Sequence, residues 1–114
     1  MSWFPNQIGN NPKELFIQLN ERHYTFLETN DMVQIYTQSL LRENIKPQDR
    51  ILIYLPSGIE LVHVIFSCFE IGAVAVPISP KLTKRECKII IEKIQPKLII
   101  TNWEYKVSFT SYLY

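Results

Sequence analysis

The stretch Glu70-Ile71-Gly72-Ala73-Val74-Ala75-Val76-Pro77-Ile78-Ser79-Pro80 limits the possible folds more than any other part of this chain. An apolar helical pattern stops at Gly72 and a β-prone run begins at once. Glycine allows that change of direction with close backbone approach. Pro77 has no N–H to give to a ladder, so it suits a strand end or a sheet edge. The pattern therefore requires a helix that hands over directly to a short apolar strand, the second half of a βαβ unit.

The rest of the chain repeats this grammar. Arg50–Leu55, Ala73–Ile78 and Lys97–Thr101 are nearly continuous apolar runs, a composition that suits parallel strands covered on both faces. Three Ser/Thr-x-x-Glu sequences, Thr25/Glu28, Ser57/Glu60 and Thr83/Glu86, each precede an apolar periodic run. They predict three capping boxes, in which the hydroxyl takes the third helical N–H and the carboxylate returns to the cap. The helices are expected over 26–43, 58–71 and 84–94, with Asn44 in the left-handed position after the first and Pro96 stopping the third. In the first helix, Met32, Ile35, Tyr36, Ser39 and Leu40 form an amphipathic stripe. The second carries apolar residues around most of its circumference, which predicts burial on nearly all sides. Leu15–Leu19 and Arg22–Thr25 flank Asn20-Glu21 and read as a short hairpin. The fold class is therefore α/β: a partial doubly wound parallel sheet of two successive βαβ units, each right-handed, preceded by a β-hairpin. Residues 102–114 read as an irregular, aromatic-rich tail, and there is no internal repeat.

Composition excludes several functions. A net charge of +1 over 114 residues gives no electrostatic reason to bind nucleic acid. Lys81, Lys84, Arg85 and Lys88, interrupted by Glu86, read as a solvated helix face. Cys68 and Cys87 have no metal-site spacing and read as buried reduced thiols. The most apolar region, 59–78, contains Glu60, His63, Glu70 and Pro77, which argues for a buried helix and strand rather than a membrane span. The first eleven residues carry no secretory pattern. The expected location is a reducing one, cytoplasmic or an organelle interior, and not secreted.

Several motifs in order and spacing then point to a family. Tyr24-Thr25-Phe26-x-Glu28 resembles a Tyr-Thr-Tyr-x-Glu-Leu opening. Ile45-Lys46-Pro47-Gln48-Asp49-Arg50-Ile51 resembles Val-x-Pro-Gly-Asp-Arg-Val. Glu60-Leu61-Val62 and Gly72-Ala73-Val74-Ala75-Val76-Pro77 follow at the expected distances. Together, over residues 24–101, they resemble the start of the adenylate-forming (AMP-binding) enzymes, which include acyl-CoA synthetases and peptide-synthetase adenylation domains. Thr29, Gln48 and Ser57 stand where that pattern usually has Leu, Gly and Asn. The resemblance implies that 1–114 is an N-terminal fragment of the large AMP-binding domain. The implied parent is an ATP-dependent acid–CoA ligase that adenylates a small carboxylic acid and then forms a thioester with coenzyme A. ATP, Mg and CoA are thus implied for the parent, and no cofactor for this chain. The Ile78-Ser79-Pro80-Lys81-Leu82-Thr83 stretch is similar to that of 2-succinylbenzoate-CoA ligases of quinone biosynthesis.

The residues themselves offer little chemistry. The three glycines, Gly9, Gly58 and Gly72, are too far apart for a phosphate-cradling loop, and no Gly-x-Gly-x-x-Gly follows a strand. Asp49 and Arg50 read as a salt link or turn cap, His63 as a core histidine, His23 as a solvated one, and Trp3 and Trp103 as covers for core edges. No catalytic, cofactor-binding or metal residue is therefore assigned, and the chain alone is expected to be inactive. Two alternatives remain: a non-catalytic interaction module or degenerate gene product, and a fragment of a peptide-synthetase adenylation domain. Apolar surface left without cover is expected to make the chain self-associate.

Overall fold

A computed structural model describes residues 15–19, 21–101 and 107–108. The first two strands, β1 (Leu15–Leu19) and β2 (Arg22–Thr25), form the expected antiparallel hairpin, with Leu19 opposite Arg22; the turn residue Asn20 lies outside the described residues. Thr25 then caps helix α1 (Phe26–Arg42). Strand β3 (Arg50–Ile53), helix α2 (Ile59–Ile71), strand β4 (Val74–Pro77), helix α3 (Lys84–Ile94) and strand β5 (Leu98–Ile100) follow. Strand β6 (Val107–Ser108) comes last. It runs antiparallel to β5 within the 102–114 stretch that was expected to be irregular and that otherwise lies outside the described residues.

The sheet order is β4-β3-β5-β6. Strand β3 is central and parallel to both neighbours, with Arg50 opposite Val74 and Ile51 opposite Leu98. The two crossovers travel in opposite directions along the sheet, and their helices lie on opposite faces. Ile51, Ile53, Leu98 and Ile100 pack with Val64 and Cys68 of α2 and with Tyr36 and Leu40 of α1. Leu52 and Ile99 point the other way, onto Ile91 of α3. Reversing both direction and face preserves the hand of the crossover, so the two βαβ units form one doubly wound layer system. Full burial of a side chain such as Ile51, Ile53 or Ile100 contributes roughly 1.5–3 kcal/mol.

Gly72 joins these parts. It ends α2 in the left-handed region, at φ 84°, and its N–H reaches back to the carbonyls of Cys68 and Phe69. Its own carbonyl accepts the Gln48 N–H at 2.8 Å. The loop between α1 and β3 is thereby docked against the α2–β4 junction. Two other residues of that loop region are left-handed: Asn44 at φ 62°, as expected, and Gln48 at φ 70°.

Three expectations need correction. The first concerns the cap of α2. The boxes at Thr25/Glu28 and Thr83/Glu86 are complete, but α2 begins one residue later than expected. Gly58 is its N-cap and no side chain closes it. Ser57 therefore sits one position before the cap and Glu60 one position too early to reach back. The second concerns the core face of α1, which is rotated from the expected stripe. Thr29, Val33, Tyr36, Thr37 and Leu40 are buried, while Ile35 is 55% exposed. The threonines belong inside because their hydroxyls bond within the helix, Thr29 Oγ1 to the Thr25 carbonyl at 2.8 Å and Thr37 Oγ1 to the Val33 carbonyl at 2.7 Å. Small satisfied residues on that face let α1 approach α2. The third concerns α2 itself, which is not covered on nearly every side. His63, Val64, Ser67 and Cys68 are buried, but Phe69 is 64% exposed.

The caps make a testable contrast. Thr25→Ala and Thr83→Ala should each cost about 1 kcal/mol, and Ser57→Ala less than about 0.5 kcal/mol, as read from urea denaturation midpoints. The two left-handed positions in the Gly72 contact should respond with opposite signs. Gly72→Ala should destabilise by about 1 kcal/mol or more. Its added Cβ meets Pro47 at an ordinary 3.6 Å, so the cost lies in the backbone. Gln48→Gly should stabilise by about 0.5–1 kcal/mol, the relieved strain less the added freedom of the unfolded chain. Equal signs in this pair would contradict the assignment.

Candidate functional site

In a doubly wound sheet the crevice outside the carboxyl ends of the strands is where ligands bind. Strands β3 and β5 are parallel neighbours, so their carboxyl ends lie side by side. Side chains two apart share a face: Leu52 and Tyr54 continue one line, Ile99 and Thr101 the other. With Ile78, Lys84, Cys87 and Ile91 they enclose a cavity of about 260 Å³. One wall is held by Tyr54, whose hydroxyl lies 2.7 Å from the Pro80 carbonyl and 3.2 Å from that of Leu82. That contact ties the 80–82 loop to the end of β3.

The lining is mainly apolar. Cys87 is buried within it and Lys84 is exposed. Such a cavity can accept an apolar group beside a cation. The cavity had a sequence signal that went unused, the period-two alternation Leu52/Tyr54 and Ile99/Thr101 inside runs that look uniformly apolar.

The residues singled out earlier are dispersed. Asp49 is a turn cap: its Oδ2 accepts the Lys46 N–H at 2.8 Å, and its carbonyl accepts the Val74 N–H at 2.8 Å. Arg50 is exposed at the start of β3, and His23 is exposed on β2. Lys81, Lys84, Arg85 and Lys88 are all exposed. Trp3 and Trp103 lie outside the described residues. Cys68 and Cys87 are free thiols, both buried. Burial pushes Cys68 up to about 12, so it is a packing residue at neutral pH.

His63 lies on the other face of the sheet, between α2 and α1. It is 4% exposed, and neither ring nitrogen has a hydrogen-bond partner among the described residues. It meets the Tyr36 ring edge-on at 5.5 Å. Desolvation holds its pKa below the usual histidine value.

Magnesium requires converging oxygen ligands, and no group of three or more His, Cys, Asp or Glu gathers among the described residues. Helix N-termini attract phosphate, but those of α1 and α3 are closed by the chain's own Glu28 and Glu86. Both carboxyls are held below their ordinary value, first by the cap backbone N–H and then by the threonine hydroxyl. The described residues thus gather no ligand set for magnesium, and of these three helix N-termini only that of α2 is left without a side-chain cap. No described helix is long and apolar enough to cross a membrane.

Comparison with known proteins agrees with this fold. The family model described as "AMP-binding enzyme" matches residues 4–111. A 2-succinylbenzoate–CoA ligase of Oceanobacillus iheyensis is 28% identical over 107 residues, which cover 93% of this chain and 22% of the ligase. Malpibaldin synthetase of Mortierella alpina is 27% identical over 99 residues, 87% of this chain and 2% of the synthetase. Among solved structures, O-succinylbenzoate coenzyme A synthetase of Bacillus subtilis, in complex with ATP and magnesium ion, superposes with a TM-score of 0.77 at 20% identity. That superposition covers 86% of this chain and 27% of the synthetase. The chain therefore spans about a fifth of the length of its ligase relative and far less of malpibaldin synthetase. With nearly its whole length matched by the family model, this chain belongs to the AMP-binding enzyme family.

Proposed function

We propose that this chain is the N-terminal portion of the large domain of an ATP-dependent acid–CoA ligase, and that it contributes framework rather than reacting groups. The observation that carries this reading is the family match over residues 4–111 of a chain spanning 22% of the ligase relative. Exposed Ile35, Phe69 and Val74 support the fragment reading, because the rest of such a domain would have apolar faces to cover. The parent reaction is adenylation of a small carboxylic acid with ATP and magnesium, followed by transfer to coenzyme A. Within that class, 2-succinylbenzoate is the proposed acid, supported by the name of the Oceanobacillus relative. A second reading, a fragment of a peptide-synthetase adenylation domain, is supported by the likeness in fold to the artificially fused adenylation-PCP di-domain NRPS from Klebsiella oxytoca, at a TM-score of 0.78.

Residues 24–101 can be grafted in place of the matching segment of the Oceanobacillus ligase. Carboxylate-dependent exchange between ATP and pyrophosphate should persist in the graft, within about tenfold of the parent. The preferred acid should be unchanged. A folded graft that prefers a different acid would show that this segment selects substrate, and the framework reading would fail.

A further inference from the structure

The α1–α2 interface sets a few polar side chains, Thr37, His63 and Ser67, among the apolar Val33, Tyr36, Leu40, Val64 and Cys68. The Ser67 hydroxyl lies 2.7 Å from the His63 carbonyl and 3.1 Å from the Val33 carbonyl, so it links α2 to α1. One turn away, His63 occupies the same interface with both ring nitrogens unpartnered among the described residues. A neutral imidazole has one N–H to leave unsatisfied. An imidazolium has two N–H donors and a charge, and burying a charge without a partner is far costlier.

We propose that His63 is a pH-operated latch between α1 and α2, closed by the neutral imidazole and opened by its protonation. Among the described residues no charged group is hydrogen-bonded to it. From α1 the group facing it is Tyr36, whose hydroxyl is neutral in this pH range and is pushed further upward, first by burial and then by Glu60. On its own helix Glu60 lies three residues earlier and is exposed. The sheet beneath α1 and α2 presents Ile51, Ile53, Leu98 and Ile100, which carry no charge.

The sign follows from linkage. Burial lowers the folded-state pKa of His63 below its ordinary 6.5. The unfolded chain thus binds the proton more readily than the folded one. Stability is complete above about pH 6.5 and falls as pH drops below it. Glu28 and Glu86 do not share this window, because their pKa values are lowered from 4.5.

The test is urea denaturation of the 114-residue chain at pH values of about 7.5, 6.5 and 5.5, which bracket the ordinary histidine value. The unfolding constant should rise toward about tenfold per pH unit once His63 alone titrates. His63→Phe keeps an aromatic ring against Tyr36 with nothing to protonate, and the slope should vanish. Should that variant fail to fold, proton NMR of the imidazoles answers directly. The chain has two histidines, and His23→Gln identifies the signal of His63. Titration below about 6.5, accompanied by loss of contacts between α1 and α2, supports the latch. A flat stability profile, or a His63 that titrates at or above that value with the fold intact, overturns it.

Discussion

The fold turns on the contact at Gly72. That residue stops α2, starts β4 and accepts the Gln48 N–H from the loop that leads into β3. One left-handed glycine thus sets where the first crossover ends and where the central strand begins. The Val74 N–H to Asp49 carbonyl bond places β4 in register beside β3. Everything downstream, including the return of α3 across the opposite face to β5, depends on that register. A one-residue slip would turn Ile51 and Ile53 away from α1 and α2 and bring Leu52 in their place.

The two faces of the sheet then serve different ends. The α1–α2 face is closed and tightly packed, with threonine and serine hydroxyls satisfied by helix carbonyls. The α3 face keeps a cavity at the strand ends, with Tyr54 bracing its loop. Among the described residues no group of three or more His, Cys, Asp or Glu gathers on either face. The described residues place a mainly apolar, Tyr54-braced cavity at the crevice position of a chain that spans about a fifth of its ligase relative.

Much of this was legible in the sequence. The order of helices and strands along the chain, both threonine capping boxes, Asn44 in the left-handed position and the parallel runs all follow from local chemistry: hydroxyl caps, positive φ and β-branched apolar runs. The misreading of the α1 face has a plain cause, since hydrophobic periodicity does not count satisfied hydroxyls as core. Thr29 and Thr37 are buried for that reason, and the α1 face was read through Ile35 instead. Thr29 and Gln48, two of the three departures from the family pattern, are both accommodated: Thr29 by a bond back along its helix, Gln48 by a left-handed backbone that glycine would adopt at less cost. The cavity shows in the sequence only as the alternation Leu52/Tyr54 and Ile99/Thr101, because α3 and the loop before it, which complete the lining, look like ordinary helix and loop residues. The unpartnered state of His63 depends on what lies across from it, which no local pattern encodes.

The central claim is that this chain holds the framework of an adenylating domain and not its chemistry. Carboxylate-dependent exchange of radiolabelled pyrophosphate into ATP, assayed with the purified 114-residue chain across a panel of aromatic, fatty and amino acids, tests it most directly. The account predicts exchange indistinguishable from the protein-free control for every acid. Exchange clearly above that control, dependent on one acid and lost on heat denaturation, would contradict it.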